Sequence, residues 1–125
     1  MHTLVHTDAV KKHRTIEKQL TQQAAINRVR QFVNDIQLRG IALSHVILFG
    51  SYARNEQHDY SDIDIALVSD SFVGLAIVDI ESFRDIKIQS PFKIIELHTY
   101  NTADFERGDN GFLDEEIKQK GIVIL

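Results

Sequence analysis

The apolar positions of this chain fall into runs with two different periods. Between residues 15 and 39, Ile26, Val29, Val33 and Ile36 recur at steps of three and four, the spacing of one helix face, and Gly40 stands where a C-terminal cap belongs. A helix over about 15–39 is predicted, its stripe packed on a sheet. At 46–49 the polar residues vanish and Gly50 closes the run, as in a buried strand. Residues 51–54 read as a short helix or turn. Residues 55–61 read as an exposed loop with Tyr60 as its one apolar anchor, and 63–68 as a second strand. Asp70-Ser71 breaks that run. From Leu75 to about Ile86 the pattern is helical again, with Ile77, Ile80 and Phe83 on one side. Pro91 punctuates, and 92–98 (FKIIELH) is a third strand. Asn, Asp and Gly mark 99–111 as loop. Residues 113–120 form a short helix with Asp114, Glu115 and Glu116 at its start and Lys118 and Lys120 at its end, as the macrodipole favours. Gly121 caps it, and 122–125 supply a terminal strand. Helix, strand, strand, helix, strand, helix, strand predicts an α+β class: a mixed β-sheet with helices packed on it.

Composition narrows the setting. The chain has 125 residues, one ordinary domain's length (1–125) with an N-terminal helical segment at about 1–40. The absence of cysteine excludes disulfides and thiolate metal sites. No apolar stretch approaches the roughly 20 residues of a membrane span, and the N-terminus lacks a secretory signal's basic-then-apolar order, so cytoplasm and no membrane partner are expected. Residues 1–40 hold seven Lys/Arg against three Asp/Glu, net +4, and residues 41–125 hold seven against fifteen, net −8. The acidic body argues against nucleic acid as the main substrate, while the basic arm suits an acidic partner, a short RNA or simple solvation. His2 and His6 are four apart, a ligand spacing if helical, though a mobile terminus explains them as well.

One stretch carries chemistry. Asp62 and Asp64 flank Ile63 on the second strand, so alternation turns both carboxylates to one face. Roughly 6–7 Å apart at Cβ, they repel by about 2–3 kcal/mol at an effective dielectric near 20. A strand gains nothing from that repulsion; a divalent cation between the two turns it into a binding site. Upstream, Gly50-Ser51 closes one strand and opens a turn, where glycine admits close approach and free N–H groups attract phosphate. Ser51 as an acyl nucleophile is disfavoured, because the local text is GSYA and not G-x-S-x-G. His45, His58 and His98 are scattered and read as core or surface histidines, with His58 and Asp59 in the loop over the site.

These residues carry a resemblance. Gly50-Ser51, ten residues, then Asp62-Ile63-Asp64 resembles the signature of the polymerase-β-type nucleotidyltransferase superfamily, and the text from 46 to 68 most resembles its minimal, stand-alone members. The resemblance implies the nucleotidyltransferase (polymerase-β-like) fold and a third carboxylate from a later strand. Glu96 is the one acid inside the apolar run at 92–97 and takes that place, although the family often has Asp there. It further implies that Asp62, Asp64 and Glu96 hold two Mg²⁺ ions, with Mn²⁺ equally acceptable to oxygen ligands. ATP is then the implied substrate, attacked in line at its α-phosphorus. Gly50, Ser51 and the backbone after them would cradle the β- and γ-phosphates, with Arg54 in reach of a phosphate oxygen. Larger members carry a substrate-gripping helical domain that 125 residues do not accommodate, so the expected acceptor belongs to another macromolecule. Minimal members are commonly paired with a HEPN-type toxin and act as its antitoxin, transferring AMP to a toxin tyrosine. That implies a hetero-complex or oligomer. The alternatives are a non-catalytic antitoxin that acts by contact, and a nucleotidyltransferase of a small molecule such as an antibiotic.

Overall fold

The helical stripe becomes α1, Gln22–Leu38, in the computed structural model, which describes residues 20–108 and 110–125. The helix begins at Gln22 behind the extended cap residue Thr21, later than the predicted start near 15; position 15 and the His2/His6 pair lie outside the described residues. Thr21 caps α1, its hydroxyl accepting from the Ala24 amide at 3.0 Å. At the other end Gly40, φ +98°, donates to the Gln37 carbonyl and Ile41 to that of Ile36, the paired bonds of a Schellman stop. Ala25, Ile26, Val29, Phe32, Val33 and Ile36 form the buried face of α1.

That face lies on a four-stranded sheet built from β1 (His45–Phe49), β2 (Ile63–Ser69), β3 (Ile95–Asn101) and β4 (Ile122–Val123). The order across the sheet is β3-β2-β1-β4; β1 runs antiparallel to β2 and β4, and β2 runs parallel to β3. Val46, Leu48, Ile63, Ile65, Leu67 and Ile95 meet α1, whereas Ile47, Phe49, Ala66 and Val68 pack with Phe105, Leu113 and Ile117 on the opposite face. Covering on both faces explains why β2 is almost uninterruptedly apolar. Asp64, on the second face, is the exception.

The crossover from β2 to β3 departs from the predicted single helix. It is divided into α2 (Ala76–Asp79), a 3₁₀ turn (Ile80–Phe83) and α3 (Arg84–Lys87). Tighter winding in the middle rotates the apolar stripe, so Phe83 and Ile86 enter the core while Ile77 stays 79% exposed. Asp79 is buried and accepts from the Val73 and Gly74 amides and the Thr99 hydroxyl, at 2.8, 2.9 and 2.7 Å, tying the crossover to β3.

The third strand also begins later than predicted, at Ile95 and not Phe92, and continues to Asn101. Pro91 and Phe92 sit in a 3₁₀ turn, Ser90–Phe92, from which the Phe92 ring reaches Phe32 at 5.1 Å and still serves the core. Within the predicted loop at 99–111, Asn101 caps α4 (Thr102–Glu106) through the Ala103 amide, and Phe105 is buried. Tyr60 is 54% exposed, and in the same loop the Ser61 hydroxyl accepts from the His58 amide at 2.9 Å.

The last helix, α5 (Leu113–Gln119), is wound as a π-helix and returns through Gly121 to β1. A Cβ on Gly121 would stand 2.3 Å from the Ile117 carbonyl oxygen and 2.4 Å from Ile47 Cγ2. Gly121→Ala is therefore expected to cost about 1–3 kcal/mol, read as an earlier urea midpoint. An unchanged midpoint would show that α5 shifts freely off the sheet.

Candidate active site

After Phe49 the chain turns at Gly50, φ +77°. The Gly50 carbonyl accepts from the Ala53 and Arg54 amides at 3.1 and 3.2 Å, and the Ser51 carbonyl from Glu56, so residues 50–56 form one tight coil. Among the described residues no backbone carbonyl accepts from the Ser51 or Tyr52 amide. Tyr52 is fully buried beneath the turn. Its hydroxyl accepts from the Leu20 amide at 3.2 Å, and Gln22 Nε2 donates to the Tyr52 and Ala53 carbonyls. The start of α1 thus clamps the turn from below. Arg54 closes it from the side, with Nε on Glu56 at 3.0 Å and a guanidinium nitrogen on Glu116 of α5 at 3.2 Å.

Beside this turn two strands bring their polar residues together. Asp64 stands opposite Phe49 on β1 and in register with Glu96 on the parallel β3, which places both carboxylates on the second face. Gly50 makes room for the first: a Cβ there would lie 2.5 Å from Asp64 Oδ2. His98, two residues beyond Glu96 on the same face, is paired with the small Ala66. Its Nε2 is 3.7 Å from Asp64 Oδ1 and 3.7 Å from Glu96 Oε2. That nitrogen is buried and has no hydrogen-bond partner among the described residues. The ring is held edge-on by Phe49, centroids 4.9 Å apart.

Of the residues singled out in the sequence, the structure gathers Asp64 and Glu96 beside Gly50 and Ser51. Asp62 lies just before β2 and is exposed; the group with metal-ligand spacing is Asp64, Glu96 and His98, whose ligand atoms all lie within 4.8 Å of one another. Lys87, half-buried at the end of α3, feels the Asp62 charge. Burial pushes the Lys87 ammonium below the usual lysine range, and Asp62 opposes that shift. His98, read from the sequence as a core or surface histidine, stands beside these two carboxylates. The available signal was Glu96-x-His98, which repeats on β3 the alternation of Asp62-x-Asp64.

The donors fit a divalent cation. Separations of 3.7 Å exceed a hydrogen bond. They remain inside the roughly 4.2 Å that two bonds of about 2.1 Å to one ion can span. An orphaned ring nitrogen facing two carboxylates is what such an ion would satisfy.

A glycine-opened turn beside a carboxylate–imidazole cluster is an arrangement that can receive a phosphate-bearing ligand together with a cation. The comparisons agree with that class. The nucleotidyltransferase domain family matches residues 26–124, and the chain belongs to this family, whose chemistry is nucleotidyl transfer from a nucleoside triphosphate. The crystal structure of a Sulfolobus solfataricus protein described as a putative nucleotidyltransferase shares the fold at 19% identity and a TM-score of 0.55. The match covers 82% of this chain and 80% of that one. No curated protein matches the chain. Among the described residues no helix is long and apolar enough to cross a membrane.

Proposed function

We propose that the chain transfers a nucleoside monophosphate, AMP from ATP, to a hydroxyl group of a partner protein, and that this partner is a HEPN-type toxin which the transfer neutralises. The observation that carries the reading is the register of Asp64 with Glu96 against the Gly50–Ser51 turn. Asp62, Asp64 and Glu96 are the carboxylates assigned to divalent cations, Mg²⁺ in the first instance. Such ions, when bound, neutralise the triphosphate and lower the pKa of the attacking hydroxyl. The amides of Ser51 and Tyr52 and the Ser51 hydroxyl receive the β- and γ-phosphates. Arg54 holds the turn against α5 through Glu116 and is the nearest guanidinium to that turn in sequence.

A protein acceptor suits the openness of the site. The Glu96 side chain is 54% exposed. A shallow concavity of about 370 Å³ runs from Glu96 past Ile77 and Ile80 to Arg84 and Lys87, apolar on its floor and cationic at its rim. A surface-borne hydroxyl can approach along it without a gap having to open.

The test uses ATP labelled at the α-phosphate, the partner protein and a divalent cation. Label on the partner is expected from α-labelled but not from γ-labelled ATP, and none with the double variant Asp62→Asn/Asp64→Asn. Equal labelling by that variant would remove the enzymatic reading. Neutralisation by the variant, with no label from either form, would favour inhibition by contact.

A further inference from the structure

The carboxylates account for oxygen ligands only, whereas the structure adds a nitrogen. We propose that His98 Nε2 ligates the same divalent cation as Asp64 and Glu96, and that this nitrogen biases the site toward a first-row transition cation such as Mn²⁺ over Mg²⁺. The inference rests on the reading of Asp64 and Glu96 as metal ligands.

Three features of the fold aim the imidazole. Alternation along β3 puts His98 on the face of Glu96. Its register partner on β2 is Ala66, whose single methyl leaves the ring room to lean toward Asp64, the next residue of β2 on that face. Phe49 then fixes the ring by an edge contact and is itself braced by Phe112, centroids 6.1 Å apart. The outcome is a ring nitrogen withdrawn from solvent, without a hydrogen bond, and equidistant at 3.7 Å from two carboxylate oxygens. Burying such a nitrogen without a hydrogen bond costs about 1–3 kcal/mol, and both carboxylates stand at ion-pair distance, beyond hydrogen-bond reach of it. A cation between the three groups relieves the nitrogen and the two anions together.

Ligand type then selects the ion. Mg²⁺ takes oxygen ligands and gives up water reluctantly, whereas imidazole suits first-row transition ions. Two carboxylates and one imidazole therefore make a poorer Mg²⁺ site than three carboxylates do. They make a better site for an ion that accepts both donor types.

The probe is Mn²⁺ alone, followed by the loss of its free-ion EPR signal, with Mg²⁺ as competitor. His98→Phe keeps the ring against Phe49 and removes the nitrogen. It is expected to weaken Mn²⁺ binding by at least the roughly tenfold that losing even an outer-shell partner costs. Mg²⁺ affinity should change by less than about threefold, since oxygen ligands dominate it. In the unmutated protein, isotopically labelled histidine should show nitrogen hyperfine coupling to bound Mn²⁺, a readout that does not depend on a variant folding. Equal Mn²⁺ affinity in His98→Phe, or no nitrogen coupling in the parent, overturns the assignment of His98 while leaving the carboxylate site standing. Mn²⁺ binding that survives Asp64→Asn unchanged overturns the metal-site reading itself, and this inference with it.

Discussion

Replacing Asp64 by asparagine is expected to lower nucleotide transfer about 10³-fold, the equivalent of several kcal/mol of lost transition-state stabilisation. The metal-free protein should be slightly more stable, not less. Asp64 and Glu96 are in-register neighbours on adjacent strands. At a spacing near 4.8 Å and a dielectric near 20 two such charges repel by roughly 3 kcal/mol. Glu96 is more than half exposed, so screening leaves about 1 kcal/mol of that. Asparagine removes the repulsion at nearly constant volume, and the melting temperature of the cation-free variant should rise by a few degrees. With divalent cation the order inverts. Wild type gains about 2.7 kcal/mol at a hundredfold excess over Kd, and the variant gains little. A variant that melts several degrees early without cation would make Asp64 a structural residue and remove it from the chemistry.

Gly50→Ala is expected to lose activity about 100-fold without removing any functional group, because a displacement near 1 Å at a reacting centre has that effect. Two causes add. The φ of +77° is left-handed, which costs a residue with a Cβ about 1–2 kcal/mol. The new methyl would stand 2.5 Å from Asp64 Oδ2, so the carboxylate must rotate away from Glu96 and His98. Full activity with a lowered melting temperature would show that the carboxylate tolerates displacement. The pair of measurements separates strain in the turn from misplacement of Asp64.

The sequence made some of this legible and hid the rest for identifiable reasons. Strands β1 and β2 could be read because their apolar runs are bounded by Gly50 and by Asp70-Ser71, and α1 because its stripe keeps one period up to Gly40. The phase of β3 could not be read in the same way. Ile94 and Ile95 are adjacent, so alternation can be counted from Phe92 or from Ile95, and the choice fixes which residues join the sheet. The structure counts from Ile95 and leaves Phe92 to reach the core from a turn. Either start leaves Glu96 and His98 on one face; what alternation does not reveal is the parallel register that sets His98 beside Asp64. The partners of Arg54 were hidden for another reason: Glu116 is 62 positions away, and only the closure of α5 onto β1 brings it near. Asp62 stands one residue before β2, exposed and within the field of Lys87, a setting that alternation along the strand does not reveal.

The parallel ladder between β2 and β3 has a consequence for how this family can vary. Ile95 and Leu97 look toward α1 while Glu96 and His98 look away, so hydrophobic burial on one side dictates what chemistry is offered on the other. A single residue added between Ser90 and Ile95 is free to loop out only if the isoleucine keeps its seat. If it does not, Glu96 and His98 exchange faces with the apolar residues beside them. Greasy contacts against the helix are in this sense the proofreaders of the polar face.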